Sequence, residues 1–366
     1  MENRLKNEIV GLVAAGVMVK RSSVNVLHPS QKYIEKTVSQ LYSDGVIRRA
    51  PGKVLRLTPR GISLLDEDER QLYLALSSGN RPGNDKSHVD AVTRASDCLA
   101  VMYAAGIPAG FYKNEFEFKN ASVESSYKTS FEFKSVEPSE FVLKKELMAP
   151  GQRQRRMDGS RVSGYLFGPG ITATVISTMG RNLKLQRRGE LSDAIHCAVE
   201  AKHRFGDIAY TGDRKNQCII LCPSDDDCLR LLSHRTEAHT LAGEVCDKHQ
   251  SNIEYRYIPA TPDGVRSLRY IAAHTQDDIL HAVFSDEEIA AAYGKDCDAV
   301  TNGVRAVEFC SCNLSKLMRY AGRDDIGVVC FEWQYDFVRQ LWGGCVNLRT
   351  ALDCRVSLLQ GQHACI

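Results

Sequence analysis

Apolar residues near the N-terminus of the 366-residue chain recur at helical spacing. This spacing predicts a first helix over residues 4–15 and a second over residues 31–43. The second helix would have an inner face made of Ile34, Val38 and Leu41. Residues 19–28 lie between the two and leave room for one or two further helical turns. Asp44-Gly45 would end the second helix, because this dipeptide is typical of turns.

Two short strands are predicted after this turn. Residues 46–49 and 54–57 mix apolar and basic side chains, and Pro51-Gly52 between them indicates a tight turn. Thr58 then precedes Pro59, a combination typical of the start of a helix. We expect that helix to extend toward Leu76, with apolar positions at Ile62, Leu64 and Leu65. Helices followed by a basic hairpin predict a winged helix-turn-helix.

A polar segment rich in glycine and proline separates this module from the rest of the chain. We therefore predict a winged-helix DNA-binding domain at 1–76, a linker at 77–88 and a mixed α/β domain at 89–366. The large domain is divisible near 210–290, and the fold of residues 110–290 stays open.

Helical and strand patterns alternate in the large domain, which predicts a mixed α+β fold class. The predicted helices are 89–105, 191–205, 228–234, 262–273, 314–320 and 333–342. The predicted strands are 131–143, 162–167, 171–177, 218–222, 253–258, 304–310 and 328–331. Residues 150–160 would form a basic loop, which offers a second phosphate contact or is merely solvated.

Charge is distributed unevenly along the chain. The whole sequence is nearly neutral, with a formal net charge of +2. Residues 1–65 hold 11 basic and 4 acidic side chains, which gives this part +7 and leaves −5 for the remainder. A basic module on a mildly acidic body is typical of proteins that bind a polyanion.

The winged-helix interpretation predicts which side chains would contact double-stranded DNA. A recognition helix exposes polar and basic residues opposite its apolar face, and the hairpin adds cations beside the groove. The candidate residues are Gln31, Lys32, Lys36, Ser39 and Gln40 in the helix, and Arg48, Arg49, Lys53 and Arg56 in the hairpin. A solvated helix face, or a winged helix that binds protein, is the alternative.

Candidate catalytic residues lie far along the chain. Asp298 and Glu308 are ten residues apart, a spacing that suits a strand-turn-strand holding Mg²⁺ between two carboxylates. Cys310 stands where a nuclease would carry its lysine, so Lys316 would have to reach back from the following helix. Alternatively, Asp298 ends a loop and Glu308 is a surface strand residue.

Other chemistry receives no support from the sequence. Its 13 cysteines include no Cys-x-x-Cys, so we expect reduced core thiols and neither a disulfide framework nor a zinc site. No phosphate-binding loop or dinucleotide fingerprint is present, and Asp225-Asp226-Asp227 is interpreted as a helix start. We therefore predict no cofactor and no metal. Without a signal peptide or an apolar run of about 18 residues, a cytoplasmic protein without membrane contact is expected.

The segment DGVIRR…LRLTPRG, followed by a longer α/β domain, resembles the replication-relaxation proteins of bacterial plasmids and integrative mobile elements. The resemblance implies a role in replication, relaxation or mobilisation of the element. It also implies a second domain similar to a degenerate restriction-endonuclease fold. The matching positions in its later stretch are Cys297-Asp298-Ala299, Val307-Glu308, Lys316-Leu317 and Tyr320. The family's aspartate soon after the glutamate has no counterpart in residues 309–313.

We therefore expect a non-catalytic protein that binds double-stranded DNA by sequence or by structure. Protein partners in a relaxation or replication complex, and a homodimer, are also expected. One alternative is a winged-helix transcriptional regulator whose C-terminal domain senses a ligand or a partner. A second alternative is a metal-dependent nuclease that uses Asp298 and Glu308.

Overall fold

The computed structural model of the protein describes residues 2–50, 52–77, 86–107, 140–143, 161–168, 171–185, 216–234, 240–247, 253–342 and 348–350. These residues form a mixed α and β structure with several sheets. Within these ranges, none of the helices has the length and apolar character needed to cross a membrane. The predictions for 131–139, the basic loop at 150–160 and the helix at 191–205 lie outside the described residues.

Helices alternate with a small antiparallel sheet at the N-terminus. In chain order these elements are α1 (Glu2–Gly16), β1 (Val19–Lys20), a 3-10 helix (Arg21–Leu27), α2 (Gln31–Ser43), β2 (Ile47–Ala50) and β3 (Val54–Leu57). The strands lie in the order β1-β3-β2. The predicted bounds of α2 are confirmed, and the hairpin agrees to within a residue. Strand β1 was missed, because a strand of two residues has no periodicity to detect.

The single helix predicted after Thr58 is wrong, because the chain forms two helices there. They are α3 (Pro59–Ile62) and α4 (Glu67–Ser77). Thr58 caps the first as predicted, since its Oγ1 accepts a hydrogen bond from Gly61 N (3.1 Å). The break leaves the Leu64 side chain 63% exposed, although its apolar character had suggested a buried position. A longer helix, α5 (Lys86–Ala104), follows.

A five-stranded sheet forms the largest sheet among the described residues. Its strands are β4 (Glu140–Leu143), β5 (Gly164–Gly168), β6 (Ile171–Ser177), β7 (Asn216–Cys222) and β8 (Ile253–Pro259). They lie side by side in this order; β4, β5 and β6 pair antiparallel, whereas β6, β7 and β8 pair parallel. The predicted hairpin and the buried apolar strand at 218–222 are confirmed. Burial on both faces explains the continuous apolar run in β7.

Several capped helices lie around β7 and β8 in the sequence. They are α6 (Asp225–Ser233), α7 (Leu241–Cys246), α8 (Pro262–Ala273), α9 (Gln276–Val283) and α10 (Asp286–Ala290). Each begins after a serine or threonine whose hydroxyl accepts a backbone hydrogen bond: Ser224, Thr240, Thr261, Thr275 and Ser285. The sequence predicted α6 and α8 but missed the other three, which are at most about two turns long.

A second sheet contains β9 (Ala299–Thr301), β10 (Val304–Glu308), β11 (Ile326–Cys330) and β12 (Leu348–Thr350). Strand β10 pairs antiparallel with β9 and parallel with β11, and β12 extends the sheet beyond β11. Between β10 and β11 lies α11 (Leu314–Tyr320), which has its predicted bounds; a 3-10 helix (Glu332–Gln334) and α12 (Tyr335–Trp342) follow β11. The hairpin β9–β10 confirms the predicted strand-turn-strand.

The loop that follows β10 joins the two sheets. Tyr257 N in edge strand β8 donates a hydrogen bond to Cys312 O (2.9 Å). Arg256 and Asn313 form an isolated antiparallel bridge at the same place. The end of β10 and the start of α11 are therefore held against β8, and this junction positions one of the two candidate sites.

Helix α5 connects the N-terminal elements to the five-stranded sheet. The Asp97 carboxylate accepts hydrogen bonds from Ser23 Oγ (2.6 Å) in the first 3-10 helix and from Ser177 Oγ (3.2 Å) in β6. Buried residues of α1, α2, α5 and the sheet belong to one hydrophobic cluster. The N-terminal module therefore packs on the rest of the chain, and the predicted division at 77–88 stays a prediction about sequence organisation.

The cysteines whose positions are described are free thiols. Seven of them are buried: Cys98, Cys218, Cys222, Cys228, Cys310, Cys312 and Cys330. Their interpretation as core residues is confirmed at these positions.

Candidate functional site

Helix α2 exposes a polar and basic face. Ser30 caps the helix by accepting a hydrogen bond from Tyr33 N (3.4 Å), which fixes the helix start. The inner face is buried as predicted at Ile34, Val38 and Leu41. Of the candidate DNA-binding residues in α2, Gln40 is half-buried, and the exposed ones are Gln31, Lys32, Lys36 and Ser39.

The β2–β3 hairpin carries the other four candidates. Arg48, Arg49 and Lys53 are exposed, and Arg56 is half-buried. Arg48 lies directly opposite Arg56, whereas Arg49 lies opposite Leu55. Because opposed residues share a face and successive residues alternate, Arg48 and Arg56 lie on one face and Arg49 on the other. The sequence analysis did not anticipate this division.

Arg49 lies on the side of the hairpin that contacts α2. Its guanidinium carbon is 5.4 Å from the centre of the Tyr42 ring, and Arg49 Nε donates to Tyr42 Oη (3.3 Å). Arg56 and Arg48 instead lie near Tyr73 of α4. Burial raises the pKa of Tyr73, and the two guanidinium groups oppose that increase.

We define the basic surface as the six cations of α2 and the hairpin, namely Lys32, Lys36, Arg48, Arg49, Lys53 and Arg56. The cations on this surface form no ion pairs with described carboxylates, although the exposed Glu35 lies on the same helix, α2. Cations placed directly opposite each other on neighbouring strands repel. The surface therefore suits a polyanion that would reduce this repulsion.

The second region is the carboxylate–lysine cluster, which consists of Asp298, Glu308 and Lys316. Lys316 Nζ donates to Asp298 Oδ2 (2.9 Å) and to Glu308 Oε1 (2.8 Å). The Glu308 side chain has no exposed surface, while 20% of Asp298 and 17% of Lys316 remain exposed. The alternative that Glu308 is a surface strand residue is therefore wrong. The structure brings together the three residues that the nuclease hypothesis selected.

Local structure explains why these side chains meet. Asp298 precedes β9 and Glu308 ends β10, so the hairpin places them side by side. Glu308 N donates to Asp298 Oδ2 (2.8 Å). Asn313 caps α11 by accepting from Lys316 N (2.9 Å), which puts the lysine in the first turn of the helix, next to the end of β10. Lys316 thus reaches the carboxylates directly.

Glu308 has further hydrogen-bond partners that the sequence analysis missed. Gln276 Nε2 at the start of α9 donates to Glu308 Oε1 (2.7 Å). Ser311 Oγ also donates to Oε1 (2.8 Å), and Ser311 N donates to Oε2 (2.9 Å). Together with Lys316, these groups give the buried carboxylate four donors.

Arg256 extends this network beneath the cluster. Its side chain is almost fully buried, and Arg256 Nη1 donates to Ser311 O (2.6 Å). Arg256 Nε donates to Gln217 Oε1 (3.1 Å) and Nη2 to Gln276 Oε1 (3.3 Å). An arginine between two tyrosines in strand β8 was a signal of such a network, because buried charges are paired or hydrogen-bonded.

The electrostatics of the cluster keep Glu308 ionised. Burial alone would raise the pKa of Glu308, but the Lys316 ammonium and the hydrogen bonds from Ser311 outweigh burial and lower that pKa to about 2. Burial would lower the pKa of Lys316, but the two carboxylates raise it above its ordinary value. Burial raises the pKa of Asp298, an effect that Lys316 opposes.

The cluster does not fit a divalent metal in this arrangement. Mg²⁺ requires near-octahedral oxygen ligands at about 2.1 Å and keeps several of its waters. Glu308 is closed to water, and its oxygens already accept four hydrogen bonds, one of them from a cation. Among the described residues, no group of three or more His, Cys, Asp or Glu side chains could hold a metal ion.

The remaining predicted features have structural roles or fall outside the described chain. Asp225, Asp226 and Asp227 form the first turn of α6, as interpreted from the sequence. Tyr257 Oη donates to Asp225 Oδ1 (2.5 Å), which ties this helix to β8. The basic loop at 153–156 lies outside the described residues.

Comparison of the chain with family models, with curated proteins and with solved structures finds no match. The resemblance to replication-relaxation proteins therefore stays a prediction, and the candidate function depends on the geometry of the two sites.

Proposed function

We propose that the protein binds double-stranded DNA through α2 and the β2–β3 hairpin and does not cut it. The observation that carries this proposal is the basic surface, six cations on two adjacent elements without a described carboxylate partner. Neutralising DNA phosphates releases counterions, so such a surface supplies binding free energy at low salt.

The order of the N-terminal elements supports a winged helix-turn-helix. Helix α1 is followed by β1, a 3-10 helix, α2 and a hairpin, and the strands pair as β1-β3-β2. In this interpretation α2 is the recognition helix. Its 13 residues span about 20 Å, and the major groove is wide enough to admit a helix.

The two faces of the hairpin suggest different roles for its cations. Arg49 adjoins α2, so Lys32, Lys36 and Arg49 would contact the same stretch of duplex. Lys53 lies at the exposed tip, where its backbone has a positive φ of 60°. Arg48 and Arg56, on the opposite face, would contribute mainly to the long-range field that attracts DNA.

The role in the cell follows from the resemblance and is the broader part of the proposal. The protein would act in replication, relaxation or mobilisation of a mobile element, with the large α/β part binding a partner protein or a second copy of the chain. Assaying duplexes tiled across the encoding element, including the region upstream of the gene, would separate this role from transcriptional regulation.

The proposal is tested by fluorescence anisotropy of a labelled duplex titrated with the full chain at several salt concentrations. If Lys32, Lys36, Arg49 and Lys53 contact phosphate, the logarithm of affinity should fall against the logarithm of salt with a slope of about −4. The variant Lys32→Ala/Lys36→Ala/Arg49→Ala should flatten this slope by about 3 and weaken binding at least tenfold at low salt.

A matched control removes three exposed cations elsewhere, Lys295, Arg319 and Arg339, and so changes the net charge equally. It should bind DNA as the unaltered protein does. Equal weakening in the two triple variants would show a nonspecific effect of net charge and would overturn the assignment to α2 and the hairpin.

A further inference from the structure

We propose that the Lys316 ammonium occupies the place of a divalent cation between Asp298 and Glu308, so that the cluster is a metal-type site closed by its own side chain. This inference concerns the large domain and does not depend on DNA binding. It is carried by the position of Nζ, which lies 2.9 Å from Asp298 Oδ2 and 2.8 Å from Glu308 Oε1.

Two carboxylate oxygens lie within hydrogen-bonding distance of Lys316 Nζ, one from Asp298 and one from Glu308. The carboxylates of Asp298, just before β9, and Glu308, at the end of β10, both face Nζ, and the hydrogen bond from Glu308 N fixes the Asp298 carboxylate there. Gln276 and Ser311 fix the Glu308 carboxylate in the same way. Both carboxylates are therefore held in place by groups other than Lys316.

The charges also favour a permanently bound cation. Two carboxylates whose oxygens face one point would repel strongly in a buried site without a positive charge between them. The ammonium provides that charge as part of the chain, so neither the concentration of metal nor a chelator can remove it. The lysine also shields the buried carboxylate from water, which a hard cation would need as additional ligands.

Removal of the ammonium should open the site. In Lys316→Ala, two fixed carboxylates would face a space left by a long side chain, with the excess negative charge that attracts divalent cations. Mn²⁺ is the suitable probe, because it accepts oxygen ligands and loses its free-ion paramagnetic resonance signal when bound.

The experiment titrates Mn²⁺ against the full-length protein, Lys316→Ala and Lys316→Ala/Asp298→Asn while the free-ion signal is recorded. We expect no Asp298-dependent binding by the unaltered protein and one Mn²⁺ per chain in Lys316→Ala. Binding should be at least tenfold weaker in the double variant. Mn²⁺ should also raise the thermal midpoint of Lys316→Ala and leave that of the unaltered protein unchanged.

Three results would overturn the inference. The first is Mn²⁺ binding by the unaltered protein that is lost in Asp298→Asn, because the site would then accept metal despite Lys316. The second is a folded Lys316→Ala chain without Mn²⁺ binding. If Lys316→Ala does not fold without metal, its refolding by Mn²⁺ counts in favour of the inference, and failure of Mn²⁺ to refold it overturns the inference.

Discussion

The buried Glu308 carboxylate should make the free energy of unfolding fall as the pH is lowered. Glu308→Gln should reduce this dependence on pH. The pKa of Glu308 is about 2, compared with 4.5 for an ordinary glutamate. Because this pKa is lowered in the folded state, its stabilising contribution is complete above 4.5 and is lost as the pH falls toward 2. The difference of about 2.5 in pKa corresponds to roughly 3 kcal/mol, of which about 2 kcal/mol is lost between pH 6 and pH 3.

The measurement is the free energy of unfolding in urea, followed by circular dichroism at several pH values between 6 and 3. Glu308→Gln should be less stable than the unaltered protein at pH 6, and this difference should shrink by at least 1 kcal/mol at pH 3. Glu287→Gln, which changes an exposed carboxylate of α10, is the matched control and should leave the pH dependence unchanged.

Parallel stability curves for Glu308→Gln and the unaltered protein would refute this reasoning. They would mean that Lys316 and Ser311 do not hold the glutamate ionised in the folded state. If Glu308→Gln were destabilised relative to the unaltered protein by more at pH 3 than at pH 6, the result would contradict the sign of the pKa shift.

Two further predictions concern the N-terminal module and its contact with the sheet. Gly61→Ala should lower the free energy of unfolding by at least about 2 kcal/mol in urea denaturation, because a Cβ there would lie 2.2 Å from Val46 O. Ser63 is exposed, so the control Ser63→Ala should have little effect. Asp97→Ala should cost about 1–3 kcal/mol in the same assay, because Ser23 and Ser177 would lose their shared acceptor; no change would show that the two hydrogen bonds do not hold α5 in place.

The sequence predicted elements whose signals are local. Helix α2 has a regular apolar spacing and a turn dipeptide after it, and Thr58-Pro59 indicates a cap by its chemistry alone. The sequence did not predict β1, because its two residues become a strand only when they pair with β3. Nor did it predict the break between α3 and α4, where Leu64 has the apolar character of a helix interior but lies exposed.

The residues of the carboxylate–lysine cluster could be predicted from the sequence only where they lie close together along the chain. Asp298 and Glu308 could be paired from sequence because a hairpin joins them, and Lys316 follows within one turn of the next helix. Gln276 and Arg256 lie on other elements, and no spacing relates them to Glu308. Their roles depend on how β8 packs against the loop after β10, which is a property of the tertiary structure.

The partners of Glu308 also indicate why an acidic pair in a sequence is weak evidence for metal chemistry. The same two carboxylates, at the same spacing, can face either a metal ion or the ammonium of a lysine. The sequence contains Lys316 whichever of these two arrangements forms. Only the structure distinguishes them, because Lys316 lies in the first turn of α11 and its ammonium donates to both carboxylates. A lysine placed beside attacking water would act in catalysis, whereas a lysine placed between the carboxylates excludes the cation that such catalysis requires.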